Sequence, residues 1–387
     1  MYLLPGIEAV PYQDPWHLPL PTRLRQLAKG RVRIAYFYEQ ADNSTFRYRV
    51  YNMANVLNEH AQEHSAAYFF LADADHFDTI AGMADVLVIC RTRYDNRVHR
   101  LVAAFQRRGK RVLFDIDDYV FNTDFVHLLV NTLDLDLANP QVWQDWFAYC
   151  SRLGATLRLC DGAITTNQFL ADKMADFAQV PTAVVSNFMN PEQLALSARV
   201  FEAKQQEPLG ADGLVHLGYF SGSPSHNRDF AMIIPALEEL LENDERLGVV
   251  VVGYIEAGPR LSRFGKRVVR YPFHDYVNLQ KLIGSVEVNL MPLQYNIFTN
   301  SKSELKYFEA AAVGTVSVAT PTQVYARAIQ HGDNGYLAQA HQWLQVIREA
   351  VSGLQDTALM LRAHRHALAT YTWGQQRDSI RAALGVL

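Results

Sequence analysis

Cysteine is scarce in this sequence, with three residues among 387. Cys90, Cys150 and Cys160 form an odd set without tight spacing, so they provide neither a disulfide framework nor the paired spacing of a zinc site. Low cysteine usage of this kind is typical of proteins that work in a reducing compartment. We therefore expect a cytoplasmic location.

Long hydrophobic runs and a large excess of one charge are also missing. The longest apolar runs, such as the one around 249–252, are far shorter than the roughly 20 residues that span a bilayer. The N-terminal stretch MYLLPGIEAVPYQDPW lacks the basic segment and apolar core of a signal peptide. The net charge of -4 gives no indication of a nucleic-acid partner. Peripheral contact with the inner face of a membrane stays open.

The sequence does contain an alternation of short apolar runs with amphipathic stretches. The runs are continuously apolar, which is typical of parallel strands buried on both faces. They lie at 33–38, 66–72, 86–90, 111–116, 162–166, 182–186, 214–220, 248–254, 285–293 and 315–320. A length of 387 residues suits two domains. The pattern predicts an α/β protein of two Rossmann-like, doubly wound domains that face each other across a cleft.

A polar stretch at 203–213 interrupts the alternation and predicts the linker. We place an N-terminal domain at 1–205, a C-terminal domain at 206–370 and a last helix at 371–387. In open sheets of this class, ligands bind beyond the carboxyl ends of the strands. The chemistry is therefore expected on the loops that follow the strands.

The most informative segment is 299–320, which reads TNSKSELKYFEAAAVGTVSVAT. Ser301 and Glu304 have the spacing of a capping box, which predicts a helix that begins near Lys302. Gly314 is expected to end this helix before the next buried strand.

Lys302, Lys306 and Glu309 are spaced to share one face of that predicted helix. A helix N-terminus with two cations suits a pyrophosphate, and the carboxylate suits the two hydroxyls of a ribose. The pattern therefore predicts a nucleotide diphosphate site. An ordinary surface helix would show the same spacing.

The segment resembles the hallmark of the retaining group 1 (family 4-like) glycosyltransferases of GT-B fold. Their pattern is a glutamate, seven residues, a second glutamate, a run of small residues and a glycine before a strand. Glu309 matches the second glutamate, and the AAAVGTVSVAT after it matches the rest of the pattern. The resemblance implies that Glu309 holds the ribose of the donor. Ser301 stands where the first glutamate would be, so the outcome, retention or inversion, stays open.

The loop 218–230, GYFSGSPSHNRDF, resembles the phosphate-gripping loop of the same family. Gly222 allows a close approach of backbone to phosphate. Ser223 stands where one basic residue of the family is often found, which leaves Arg228 for a forked contact with the pyrophosphate. A plain strand–turn–helix connection, capped by Ser225 or Asn227, would look the same.

Tyr271 and Phe273 lie where the resembling family stacks the nucleotide base, although core aromatics would fit the pattern equally well. Asn300 and Ser301 complete the candidate donor site. The segment 371–384 resembles the C-terminal helix of the family, which crosses back onto the first domain.

The strand predicted within 112–121 ends in three carboxylates: Asp115, Asp117 and Asp118. Carboxylates this close raise the pKa of at least one of them, and such a group can act as a general base on an acceptor hydroxyl. Family members often carry a catalytic histidine here. Asp117 and Asp118 instead resemble a D-x-D-D variant of polysaccharide-assembling enzymes.

Two other interpretations of these aspartates stay open. Asp118 would cap the next turn while Asp115 pairs with an arginine, or the carboxylates would form the metal-binding D-x-D motif of the other major glycosyltransferase fold. We expect no metal, because the cationic 302–306 segment already supplies charge for the diphosphate.

The acceptor side is expected to include Arg47, after the first strand, and Arg91, which opens a basic stretch at 91–100. A solvated helix face explains these charges equally well. Their functional interpretation is an anionic partner, such as a lipid-linked diphosphate or an anionic membrane surface.

Together these features predict a cytoplasmic enzyme of polysaccharide biosynthesis. It would move a sugar from a nucleotide-diphosphate sugar to a hydroxyl of a glycan or lipid-linked acceptor, without cofactor or metal. The alternatives are a nucleotide-sugar epimerase and a non-catalytic scaffold that binds nucleotide sugars. The sequence does not indicate the oligomeric state.

Overall fold

The computed structural model describes residues 4, 6–42, 44–206, 212–223, 226–255 and 258–386. The first of its two parallel sheets has six strands in the order β2-β1-β3-β4-β5-β6. These strands are β1 (Val32–Tyr38), β2 (His64–Phe70), β3 (Val86–Cys90), β4 (Arg111–Asp115), β5 (Gly162–Thr165) and β6 (Thr182–Val184). The order reverses between β1 and β3, which opens a crevice beyond their carboxyl ends.

The second sheet also has six parallel strands, in the order β12-β11-β10-β7-β8-β9. Read from β9, this is the Rossmann strand order, and its crevice lies between β7 and β10. The strands are β7 (Val215–Ser221), β8 (Leu247–Gly253), β9 (Val268–Tyr271), β10 (Val288–Met291), β11 (Val316–Ala319) and β12 (Tyr336–Leu337).

Helices cover both faces of the two sheets. In the first domain they are α1 (Leu20–Leu27), α2 (Asn52–Asn58), α3 (Phe77–Met83), α4 (Asn96–Gln106), α5 (Val126–Thr132), α6 (Pro140–Arg158) and α7 (Gln168–Ala178). They continue as α8 (Pro191–Gln206), α9 (Asn227–Ala231), α10 (Ile234–Asn243), α11 (Gly258–Ser262), α12 (Tyr276–Gly284), α13 (Ile297–Asn300) and α14 (Leu305–Ala312). The last are α15 (Tyr325–Ala328), α16 (Trp343–Gly353), α17 (Thr357–Thr370) and α18 (Trp373–Leu384).

The central strands form because their residues are apolar on both faces. Every residue of β3 and of β8 is buried. Side chains of β3 belong to a hydrophobic core of the first domain, and side chains of β8 belong to a separate core of the second domain. No helix in the described ranges has the length and apolar character needed to cross a membrane.

The predicted start of the helix near Lys302 is wrong. The chain forms the short α13, turns through 301–304, and begins α14 at Leu305. The capping box is made instead by Asn296 and Thr299, where Asn296 Oδ1 accepts from Thr299 N at 3.0 Å. Ser301 instead stands at the C-terminal end of α13, where its hydroxyl donates to Phe298 O at 2.6 Å.

The polar stretch at 203–213 begins inside a helix, because α8 continues to Gln206. Residues 207–211, in the middle of the predicted linker, lie outside the described residues, and so does Ser225. The domain boundaries placed at 205 and 370 therefore stay a prediction.

In the described part of the chain, an N-terminal segment and the last helix also reach from one domain to the other. Residues 6–18, which we call the N-terminal strap, pair with α12 through Val10 N and Asn278 Oδ1 at 3.0 Å. The strap then reaches the first domain, where Trp16 is buried against Phe46 with ring centroids 5.2 Å apart. At the other end of the chain, α18 packs into the first-domain core with Ile380.

We expect Gly253→Ala to destabilise the protein strongly. Gly253 has a φ of 104°, and a Cβ there would lie 1.8 Å from the carbonyl oxygen of Ser221 on β7. Positive φ and a backbone clash together should cost more than about 2 kcal/mol. The midpoint of urea unfolding measures the loss.

Gly82→Ala is the matched control. Gly82 lies in α3 with nothing within 4 Å of its Cβ position, so alanine should leave stability unchanged or raise it by about 0.5–1 kcal/mol. Equal unfolding midpoints for the two variants would contradict the clash.

Candidate active site

The two crevices face each other, and their loops form the candidate site. Thr45 and Arg91 follow β1 and β3, and Asp117 and Asp118 follow β4. The facing loops of the second domain follow β7 and β10. The segment after β10 includes Lys302.

Asp117 is held by two donors of its own domain. Thr45 Oγ1 donates to its Oδ2 at 3.1 Å, and Arg91 Nη1 contacts its Oδ1 at 3.1 Å. Burial raises the pKa of the Asp117 carboxyl above its usual range, although Arg91 opposes the rise. A carboxyl with a raised pKa is a better proton acceptor than an ordinary aspartate.

Asp118 is held by cations from both domains. Arg91 Nη1 lies 3.0 Å from its Oδ2, and Lys302 Nζ donates to its Oδ1 at 3.1 Å. Burial opposes ionisation, but Lys302 and Arg91 outweigh it and hold the pKa of Asp118 well below its usual range. The two neighbouring aspartates therefore differ in proton affinity. Asp118 does not cap the next turn: Asn122 Oδ1 caps it by accepting from Asp124 N at 3.0 Å.

Asp115 has a structural role. Arg49 donates to both of its oxygens, at 2.8 and 2.7 Å, and both side chains are buried. The pairing of Asp115 with an arginine is thus confirmed. Within the described ranges, no group of three or more His, Cys, Asp or Glu side chains is placed to hold a metal ion.

Lys306 and Glu309 lie on α14, while Lys302 precedes this helix. Burial lowers the pKa of Lys306 to about 8 and raises that of Glu309 to about 7. Tyr48 of the first domain donates its hydroxyl proton to Glu309 Oε1 at 2.5 Å, and Gln193 Nε2 lies 3.5 Å from the same oxygen. The predicted ribose ligand thus contacts the first domain in this structure.

The loop after β7 places Gly222 in open space, with nothing within 4 Å of the position that a Cβ would take. Ser221 Oγ donates to Ser223 O at 2.6 Å, which shapes the turn. Arg228 reaches the first domain, where Nε donates to Asp134 at 2.7 Å and Nη1 to Asn131 at 2.6 Å. Its role toward a pyrophosphate stays a prediction, because a diphosphate would have to compete with Asp134.

The aromatic residues after β8 and β9 form an exposed pair. Phe273 is 40% exposed and stacks on Tyr254, which is 51% exposed, with centroids 5.4 Å apart. Tyr271 is half-buried. The core interpretation is thus wrong for Phe273, while its role in base stacking stays a prediction.

Asn300 and Ser301 are both buried. Asn300 Oδ1 accepts from Gln323 N at 2.8 Å. Ser301 O accepts from Asn167 Nδ2 of the first domain at 2.9 Å. In this structure Ser301 holds the 294–304 segment against the first domain, whereas Asn300 bonds within the second domain.

The expected position of Arg47 is wrong. Its side chain is fully buried rather than facing the cleft, with Nη2 2.5 Å from Asp14 Oδ1 of the N-terminal strap. Its guanidinium lies 3.7 Å from the ring centroid of Tyr276. A π-helical turn at Arg47–Tyr51 turns residues 47–50 inward, which a helical pattern in the sequence does not reveal.

Sequence reasoning missed Tyr48, Gln193, His226 and Asp229. Tyr48 and Gln193 meet Glu309 from distant parts of the chain. No local motif marks such contacts. His226 and Asp229 stand three apart in the loop already singled out, and that spacing was the available signal.

Residues 215–356 match the family model described as Glycosyl transferases group 1. Over these residues the second domain is similar to the group 1 glycosyl transferases. The match supports glycosyl transfer as the general class of activity. No curated protein matches the sequence.

Several solved structures share the architecture. HepE from Anabaena, in complex with UDP and glucose, is 14% identical, with 92% of this chain and 99% of that chain covered and a TM-score of 0.61. A glycosyltransferase from Rickettsia africae is 11% identical, with 91% and 98% covered and a TM-score of 0.61. A UDP-forming α,α-trehalose-phosphate synthase from Burkholderia xenovorans is 11% identical, with 92% of this chain and 99% of that chain covered and a TM-score of 0.57. These likenesses show the fold. The GT-B fold, with two facing Rossmann-like domains, is confirmed.

The carboxyl of Glu304 should make stability fall as the pH rises. Glu304 is 5% exposed, and its Oε2 has no hydrogen-bond partner within the described part of the chain. Burial raises its pKa from 4.5 to about 7, so the folded state keeps the proton over this interval. Stability should decline from pH 4.5 through 7, by up to about 3 kcal/mol.

Glu304→Gln stays neutral, so its urea-unfolding free energy should fall less between pH 5 and pH 8 than that of the wild type. Glu309, with a pKa of about 7, adds a decline to both proteins. Glu245→Gln, at an exposed position, should behave as the wild type. Parallel curves for Glu304→Gln and the wild type would argue against a buried neutral carboxyl.

Proposed function

We propose that this chain transfers a sugar from a nucleotide-diphosphate sugar to a hydroxyl of a glycan or lipid-linked acceptor, without a metal ion. The observation that carries the proposal is the meeting of two groups at the facing strand ends. Asp117 and Asp118 of the first domain lie beside Arg91 and Lys302, and Lys302 comes from the second domain. A proton acceptor and cations thus share one cleft.

The second domain binds the donor in this proposal. Lys302 and Lys306 supply positive charge for the diphosphate, and Glu309 accepts hydrogen bonds from the ribose hydroxyls. Glu309 is 8% exposed and held by Tyr48, so the ribose replaces the Tyr48 hydroxyl when the donor binds. The relative HepE, which is in complex with UDP and glucose, makes UDP the first nucleotide to test.

Asp117 is the general base of the proposal. Its pKa is raised by burial, whereas Asp118 is paired with Lys302 and Arg91. Asp117 accepts the proton of the acceptor hydroxyl as the hydroxyl oxygen attacks the anomeric carbon. A single displacement of this kind inverts the configuration at that carbon.

Fixed cations support transfer without a metal. In metal-dependent transfer the ion neutralises the diphosphate as it leaves. Here Lys302 Nζ stands 3.1 Å from Asp118, and the Lys306 ammonium lies over the Tyr219 ring at 5.4 Å from its centroid. Preorganised cations in a partly dry cleft stabilise a leaving diphosphate in the same way.

Asp117→Asn should lower kcat by about 10²- to 10⁴-fold, the usual contribution of a general base. The measurement is release of nucleoside diphosphate in the presence of acceptor. Binding of the donor should change little, because Asp117 makes no contact with Lys302 or Lys306 among the described residues.

Asp124→Asn is the matched control for this prediction. Asp124 follows the same strand but is exposed, so the variant should keep wild-type activity. An Asp117→Asn protein with full activity would remove Asp117 as the base. An inactive wild type that still binds nucleotide sugars would favour the scaffold instead.

A thermal-shift screen against UDP, GDP, ADP, CMP and dTDP and their sugars tests the donor site. Ligand at 100 times its Kd should add about 2.7 kcal/mol of stability. We expect one nucleotide diphosphate to give this shift, with or without EDTA. Glu309→Ala should lose it, and Glu245→Ala should keep it. A shift that EDTA abolishes would contradict metal independence, and no shift with any nucleotide would overturn the proposed function.

A further inference from the structure

The crevice of the second sheet contains a histidine–aspartate pair. His226 lies on the loop after β7, and Asp229 lies in α9. The strand order reverses between β7 and β10, and this is where open α/β sheets bind ligands. The pair therefore stands at the place that the fold provides for the donor.

Both oxygens of Asp229 have fixed partners. Its Oδ2 lies 2.9 Å from His226 Nδ1. Its Oδ1 accepts from the backbone and side-chain nitrogens of Gln294, at 2.9 and 3.2 Å. Asp229 is 2% exposed. Through these hydrogen bonds its carboxylate links the loop after β7 to the loop after β10.

This arrangement fixes the orientation of the imidazole. When Nδ1 carries a proton and donates it to Asp229, Nε2 remains as the nitrogen that can gain or give a second proton. An aspartate behind a histidine also stabilises the imidazolium once that proton is bound. Asp229 is thus a positioning residue, and His226 is the group that can move a proton.

The surroundings of His226 favour its neutral form before a ligand binds. Burial lowers its pKa below 6.5, and the nearby cations Lys306 and Lys302 lower it further, against the opposing effect of Asp229. Tyr219 contributes its hydroxyl, which donates to the backbone carbonyl of His226 at 3.4 Å. An arriving diphosphate reverses this balance, because an opposite charge favours the charged form of a titratable group.

We propose that His226, oriented by Asp229, takes up a proton when a nucleoside diphosphate binds and then hydrogen-bonds the diphosphate oxygen that leaves the sugar. The inference rests on the proposed function. In the transfer step the acceptor oxygen forms a bond to the anomeric carbon, and its proton goes to Asp117. The bond between the anomeric carbon and the diphosphate oxygen breaks, its electron pair stays on that oxygen, and His226 donates a proton to it.

A purely structural pair, joining His226 and Asp229 across one turn, would have no such effect on protons. The distinction is measurable by titrating the full chain with UDP in two buffers of different ionisation enthalpy. Because its pKa lies below 6.5, His226 is mostly neutral at pH 7.5 before UDP binds. A rise in its pKa on binding therefore appears as a fraction of a proton taken up per UDP.

We expect His226→Gln to bind UDP but to lose this uptake. Lys306, with a pKa of about 8, adds a small uptake to both proteins, so the difference between them belongs to His226. Asp229→Asn should reduce the uptake while His226 is present. His341→Gln, at an exposed histidine, should match the wild type. Thermal unfolding without ligand shows that each variant is folded.

The possible results separate this inference from the proposed function. Equal proton uptake by His226→Gln and the wild type, with UDP bound to both, would overturn the role of His226 alone. If neither UDP, GDP, ADP nor dTDP binds the wild type, the proposed function fails and this inference fails with it. A lower kcat in His226→Gln with little change in KM supports contact with the leaving oxygen.

Discussion

The ion pair between Lys302 and Asp118 joins the strand-end edges of the two domains at 3.1 Å. Around it, the 294–304 segment rests on the first domain through Asn167 and Ser301. The carboxylates and the lysines of the proposed site come from different sheets, and this contact holds the two sets of side chains close together.

The same ion pair separates the two aspartates chemically. Asp117 and Asp118 are neighbours in sequence, yet burial raises the pKa of Asp117 while the two cations lower that of Asp118. Two acids with distinct proton affinities allow one to accept a proton while the other stays charged. Lys302 contacts Asp118, so the second domain contributes to this difference between the two aspartates.

Much of the fold was predictable because its strands are continuous apolar runs, such as the one at 249–252. Short runs of this kind, alternating with amphipathic stretches, indicate buried parallel strands. The start of α14 was not predictable, since the Ser301–Glu304 spacing imitates a cap while Ser301 bonds within the preceding turn. Arg47 was misplaced because its burial depends on the N-terminal strap, far away in sequence. The contact of Tyr48 with Glu309 is equally non-local, and only the folded chain brings the two side chains together.

The N-terminal strap has a consequence for recombining such proteins. The strap crosses to the second domain at Val10 and Asn278 before the first sheet begins, and α18 returns to the first-domain core at Ile380. A chimaera that exchanges only the middle of the chain would place foreign residues beneath the strap. The unit that can be exchanged is therefore discontinuous in sequence. A second domain taken from a relative would need the strap of that relative to pack correctly.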